Sequence, residues 1–156
     1  MSSHTIHYKN PKIYAGCIPE RDGRLLLCRR AIEPRHGLWT LPAGFMENGE
    51  STEQAAARET MEEACARVEN LSLYGVFSIP HISQVYMMFR ATLANDDFRP
   101  GDESLEVRLF DESEIPWAEL AFPVMRLTLQ RYFSDQQKNV FPLHVEDIIR
   151  PPRRQP

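Results

Sequence analysis

The chain has 156 residues, of which 42% are apolar and 26% charged, and its net charge is −4. That size and balance point to a single globular domain with one core, and they exclude a basic field that would draw nucleic acid non-specifically. No apolar run reaches membrane-spanning length, and Met1-Ser-Ser-His-Thr-Ile-His7 lacks the basic-then-apolar pattern of an export signal.

Residues 1–10 are polar and read as a flexible N-terminal segment. Lys12–Pro19 and Arg24–Arg30 read as strands around an Asp22-Gly23 turn, because Asp-Gly between apolar runs signals a hairpin. Leu38–Leu41 is a short strand entering a glycine loop. Ser51 is a good N-cap, and Ser51-x-x-Gln54 fits a capping box. The spacing predicts a helix over about Thr52–Ala66, with Ala55, Ala56, Ala57 and Ala64 small enough to lie close to a sheet. Val68–Ile79, Val85–Leu93 and Leu105–Phe110 read as further strands, the last with period-two alternation. Phe122–Phe133 repeats apolar residues at helical spacing, with Pro123 in the first turn. The order of strands, helix, strands, helix predicts an α+β fold or an α/β/α sandwich. The domain is expected to span residues 11–136, followed by a partly disordered extension over 137–156. Cys17, Cys28 and Cys65 have no CxxC spacing. They read as free thiols in a reducing, cytoplasmic setting.

The chemistry concentrates in Gly44–Glu63. Glu59, Glu62 and Glu63 fall at i, i+3 and i+4, on one face of the expected helix. Like charges at that spacing destabilise a helix by roughly 0.2–0.5 kcal/mol per pair. A bound cation offsets that repulsion, and an all-oxygen donor set favours Mg²⁺ or Mn²⁺ over zinc. The bland alternative is a solvated acidic face; the glycine loop just upstream tells against it.

This segment resembles the Nudix box: Gly, five residues, Glu, seven residues, Arg-Glu, an aliphatic, any residue, Glu-Glu, any residue, Gly, an aliphatic. Gly44, Glu50, Arg58, Glu59, Glu62 and Glu63 are all in register. Thr60 and Ala66 stand where the box has aliphatics, and Cys65 stands where it has its last glycine. That glycine eases the chain out of the helix, so the helix end is expected to be extended or bent differently here. Ile6–Lys12, Arg29–Pro34, Leu41–Glu50 and Ser104–Phe110 are similar to one Nudix group that hydrolyses ADP-ribose and FAD. Many members of that group carry a four-cysteine zinc ribbon just ahead of the His-Tyr-x-Asn-Pro segment, and this chain reads as a ribbon-less version, natural or truncated.

The resemblance implies a Nudix fold with a mixed sheet and a metal-dependent pyrophosphohydrolase. Gly44, Glu59, Glu62 and Glu63 are the implied metal set, with the Gly44 carbonyl as one oxygen. Arg58 pairs with Glu50 to hold the loop, an orienting rather than a chemical role. Glu62, Glu63, Glu103 and Glu106 are candidates for the general base. Arg29 and Arg30 are candidates for phosphate contacts. Phe45, Phe77, His81, Tyr86 and Phe110 are candidates to stack on a base or flavin, although aromatic residues in strands are more often core. Trp39 reads as core. The implied substrate is a nucleoside diphosphate linked to another moiety, ADP-ribose or FAD, cleaved to AMP and the partner phosphate, with NADH or a nucleoside triphosphate as the rival. A non-catalytic nucleotide sensor is the alternative of another class, disfavoured because every box glutamate is present. The family habit implies a homodimer.

Overall fold

The computed structural model describes residues 10–150. Residues 1–9 and 151–156 lie outside that range, and so do the expectations made for them. Ten elements other than short 3₁₀ turns follow one another: β1 (Lys12–Arg21), β2 (Arg24–Arg30), β3 (Trp39–Thr40), β4 (Ala43–Phe45), α1 (Thr52–Ala64), β5 (Val68–Ile79), β6 (Gln84–Leu93), β7 (Ser104–Phe110), α2 (Pro123–Lys138) and β8 (His144–Asp147). The strands form one mixed sheet of order β3-β2-β1-β6-β5-β8, with β4 added to β1 and β7 to β2. β1 and β6 run parallel over Lys12–Glu20, whereas β2 and β4 run antiparallel to β1. Both Asp22 and Gly23 have positive φ (51° and 78°), as a two-residue type I′ hairpin requires.

Strand alternation assigns each helix its own face of the sheet. Leu25 and Leu27 join Ile18, Met88, Leu129, Tyr132 and Phe133 in the core under α2. The intervening Leu26 and Cys28 pack with Ala64 of α1, and Ala15 and Cys17 meet Ala55 and Ala56. The arrangement is an α/β/α sandwich. Cys17 and Cys28 are buried, Cys65 is partly buried, and all three are free.

The capping box of α1 is formed: Ser51 Oγ accepts from Gln54 N–H at 3.1 Å, and Gln54 Oε1 accepts from Ser51 N–H at 2.8 Å. The helix stops two residues short of its expected end. Cys65 takes the left-handed conformation (φ 47°, ψ 34°), and its N–H bonds Met61 O at 2.9 Å. A cysteine therefore does the job of the box glycine, at a backbone cost of about 1–2 kcal/mol. Cys65→Gly is expected to raise stability by about 1 kcal/mol in urea unfolding, the glycine's greater unfolded-state entropy offsetting part of the relief. Thr60 is fully buried and donates to Ala56 O at 2.8 Å, so its hydroxyl is satisfied inside the helix.

Two short strands escape the sequence pattern. β4, at three residues, reads only as glycine loop. β8 falls in the stretch expected to be a loose extension, yet it pairs in parallel with Gly75–Ser78 of β5. α2 also runs on past Phe133. Its buried Asp135 accepts from the Tyr74 hydroxyl and lies 2.7 Å from His144 Nε2. Arg131 and Glu146 form a two-pronged pair at 2.7 Å. Together these contacts hold β8 to the body of the fold.

Candidate active site

Gly44 sits opposite Ala15 in the β4–β1 ladder, on the face that carries α1. A Cβ at Gly44 would lie 2.3–2.5 Å from the Glu59 carboxyl atoms, so only glycine leaves that carboxylate its place. Glu63 Oε2 accepts the Ala43 N–H at 2.8 Å. The far end of α1 is gripped by the segment before β7. Arg99 N–H bonds Ala64 O at 2.9 Å, and the Glu63 carbonyl accepts from Gly101 N–H at 3.0 Å and Ser104 Oγ at 2.8 Å. These bonds satisfy helix-end carbonyls that would otherwise lack partners.

Arg58 is the brace of the loop. Its Nε and Nη2 take both oxygens of Glu50 at 3.0 and 2.8 Å, and Nη2 also donates to Phe45 O at 2.9 Å. Its Nη1 bridges Glu59 at 2.9 Å and Glu62 at 3.2 Å. Arg58 hydrogen bonds hold the Glu50 carboxyl down at about 2, and Glu50 in turn raises the Arg58 pKa. Burial, reinforced by neighbouring Glu59, pushes Glu63 up to about 8, and burial likewise raises Glu59. Two carboxyls whose ionisation is opposed by desolvation and mutual repulsion mark a place that favours positive charge.

Among the described residues, no three His, Cys, Asp or Glu side chains already converge as an ion cage. The Arg58 guanidinium links Glu59 to Glu62 instead. Glu62 is 57% exposed at its side chain and free to turn away from Arg58. The donor set is oxygen only, the Gly44 position leaves space, and the raised carboxyls call for a cation. The residues therefore fit a hard divalent ion. Arg58→Lys removes the two-pronged grip on Glu50 and is expected to weaken apparent Mg²⁺ affinity by roughly 10–100-fold, read from the cation dependence of the rate.

A cleft of about 830 Å³ opens beside these residues. Glu59, Glu62, Glu63, Arg58 and Glu103 line it, and so do Arg30, Phe45, His81 and Tyr86. Phe45 is 45% exposed. Tyr86 is nearly buried under Tyr14, with ring centroids 4.6 Å apart and planes 6° apart. Four expected residues fall elsewhere. Phe77 and Phe110 are buried in the core under α2, so neither ring reaches a ligand. Arg29 donates to Gly37 O at 2.9 Å and lies off the cleft lining; adjacent strand residues point to opposite faces, so only Arg30 of the pair lines the cleft. Glu106 stands across from Arg29 in the β2–β7 ladder, also outside the lining, which leaves Glu103 alone of the two. Trp39 is core, packed edge-on against Phe110 at 5.0 Å. The sequence reading missed Tyr14, Arg35 and Gln84, which also line the cleft. Tyr14 was detectable only through register, since it pairs directly with Phe45 and Tyr86.

An acidic, arginine-braced loop-helix set against a nucleotide-sized cleft on this sandwich defines a pyrophosphohydrolase that works with a divalent metal. The chain belongs to the Nudix family: the family description "NUDIX domain" matches residues 10–132. It is 33% identical over 121 residues to an ADP-ribose pyrophosphatase of Methanocaldococcus jannaschii, covering 74% of this chain and 69% of that protein. It is 32% identical over 139 residues to the NAD-capped RNA hydrolase NudC of Vibrio atlanticus, covering 86% of this chain but 50% of that protein. The chain thus spans about half the length of that relative. A crystal structure of a NUDIX hydrolase from Nitrosomonas europaea superposes with a TM-score of 0.91 at 58% identity, covering 95% of this chain and 84% of that one. No helix among the described residues is long and apolar enough to cross a membrane.

Proposed function

We propose that the protein hydrolyses the diphosphate of a nucleoside diphosphate linked to another moiety, with ADP-ribose or FAD as substrate, releasing AMP and the partner phosphate. The observation that carries this reading is a single cleft in which the acidic set faces Arg30, Arg35 and the half-exposed Phe45 ring. Arg30 is pre-set for an anion. Its Nε donates to Pro34 O at 2.9 Å and its guanidinium lies 5.0 Å from the Phe122 ring centre, which fixes its plane. Gly44, Glu59, Glu62 and Glu63 would hold Mg²⁺ or Mn²⁺, which supplies charge neutralisation at the phosphates and activation of water. Glu103, lining the same cleft, is the base that takes the proton from the attacking water as the bridging P–O bond breaks. Arg58 positions Glu59 and the loop rather than touching substrate.

The ADP-ribose pyrophosphatase relative supports the ADP-ribose assignment. The NudC relative supports a second reading, an NAD-type dinucleotide cleaved at the same linkage. A sensor is disfavoured because every box glutamate belongs to one braced cluster. A homodimer accompanies this reading. The outer edge of β8 has no partner among the described residues and carries Val145, 67% exposed. Three free thiols support a cytoplasmic setting.

The test is a panel of ADP-ribose, FAD, NADH and ATP with Mg²⁺ in ¹⁸O-labelled water, with products identified by mass. Labelled AMP or labelled partner phosphate from ADP-ribose or FAD supports the proposal. Binding without product above that of Glu62→Gln favours the sensor.

A further inference from the structure

We infer that Arg35, presented at the rim of the cleft by a rigid loop, binds the second phosphate of the substrate, the one that leaves with the partner moiety, while Arg30 meets the first. This rests on the proposed diphosphate substrate and names the side chain that tells a diphosphate from a monophosphate.

Arg35 lies in the loop between β2 and β3, which is closed by its own bonds. Arg30 N–H donates to Leu38 O at 2.8 Å, Gly37 N–H to Arg30 O at 2.7 Å, and Leu38 N–H to Arg35 O at 3.2 Å. Two arginine side chains brace it further: Arg29 Nε donates to Gly37 O and Arg30 Nε to Pro34 O, both at 2.9 Å. The backbone that carries Arg35 is therefore set before any ligand arrives. Arg35 itself sits at φ 65°, in the left-handed region. The other described non-glycine residues there, Asp22, Cys65, Asn70, Ser83 and Asn139, all have short side chains. A Cβ in that conformation crowds the next carbonyl, and a glycine would avoid the strain. Strain of this kind persists where a side chain is kept for what it touches.

Arg21, Arg58, Arg90 and Arg131 each pair with a carboxylate. Arg35 is exposed and has no carboxylate partner among the described residues. It lines the same cleft as Arg30. The two differ in depth. Arg30 is half-buried, and its charge bears on Glu63, Tyr14 and Tyr86 at the acidic end. Arg35 stands outside it, and its loop neighbours in the lining, Ile32 and Pro34, are apolar, so Arg35 supplies the loop's charge there. Two guanidinium groups at two depths match two linked phosphates, each able to accept a two-pronged charge-assisted bond.

The experiment compares calorimetric binding of AMP and of the α,β-methylene analogue of ADP, which cannot be cleaved at that linkage, in the presence of Mg²⁺. Arg35→Gly and Arg35→Gln are each expected to weaken the analogue by about tenfold or more and AMP by less than about twofold, the scale of one lost hydrogen bond between charged groups. Arg35→Gly should melt no lower than the wild type, because glycine takes this conformation freely, whereas Arg35→Gln keeps the Cβ and controls for a loosened loop. If both variants bind the analogue as the wild type does, or lose AMP as strongly as the analogue, the inference is overturned. If the wild type hydrolyses no dinucleotide yet both variants lose the analogue selectively, the phosphate contact stands and the proposed hydrolysis falls.

Discussion

Glu63→Gln is expected to make the metal-free protein more stable and the enzyme nearly inactive. Glu63 is the carboxyl most strongly pushed up, to about 8, by burial and by the Glu59 charge. The sign follows directly. A carboxyl whose folded pKa lies above its unfolded value stabilises the fold fully below the unfolded value, near 4.3. That contribution drains away as pH rises through about 8. Without divalent cation, the wild-type melting temperature should therefore fall by ~5 °C or more between pH 5 and pH 9. Mg²⁺ should restore it, because a cation favours the ionised form. The amide introduced by Glu63→Gln keeps an oxygen for the Ala43 N–H but has no proton to lose in this range, so the variant's melting temperature should fall much less than the wild type's from pH 5 to pH 9, the remaining slope belonging to Glu59, which burial also raises. Its kcat should drop by about 10²–10⁴-fold, the range for removing a group that acts on the proton or the ion. A variant that melts with the wild-type pH dependence would remove Glu63 as the buried titrating group.

The second large effect belongs to Gly101, far from the box in sequence. A Cβ there would stand 1.8 Å from the Glu62 carbonyl oxygen and 2.9 Å from its carbonyl carbon, both backbone atoms that cannot turn aside. Gly101→Ala must push the loop off the end of α1, at a cost of about 1–3 kcal/mol in urea unfolding. The same shift breaks the Gly101 N–H bond to Glu63 O and moves Glu103, two residues on. A displacement of about 1 Å is enough to cost ~10²-fold in rate. Ser104→Ala removes only the hydroxyl bond to the same carbonyl and serves as the milder comparison. Equal stability and rate in wild type and Gly101→Ala would show that the loop does not seat the helix.

The parts of this fold that were legible in the sequence are those governed by local chemistry. The Asp22-Gly23 hairpin, the Ser51 capping box and Pro123 at the start of α2 each follow from the conformation of a few adjacent residues. The glutamate register was equally plain, because helical spacing alone puts Glu59, Glu62 and Glu63 together. What was not legible depends on partners distant in the chain. β4 and β8 are too short to show a period and exist because β1 and β5 offer them an edge. Phe77 and Phe45 look alike in sequence, yet one is enclosed under α2 and the other ends its row of rings at the cleft. Tyr14 and Gln84 belong to no motif; only the parallel pairing of β1 with β6 brings them together. Cys65 shows the reverse case, where a residue that breaks the family pattern still adopts the backbone turn the pattern demands.

The fastening of β8 bears on how this protein can be shortened. Trimming the chain ahead of His144 would strip Asp135 of its imidazole neighbour and Arg131 of its acidic one. It would also lay bare the Gly75–Ser78 rim, a ready template for self-association. Loss of activity in such a deletion would report clumping rather than any part the final strand plays in chemistry.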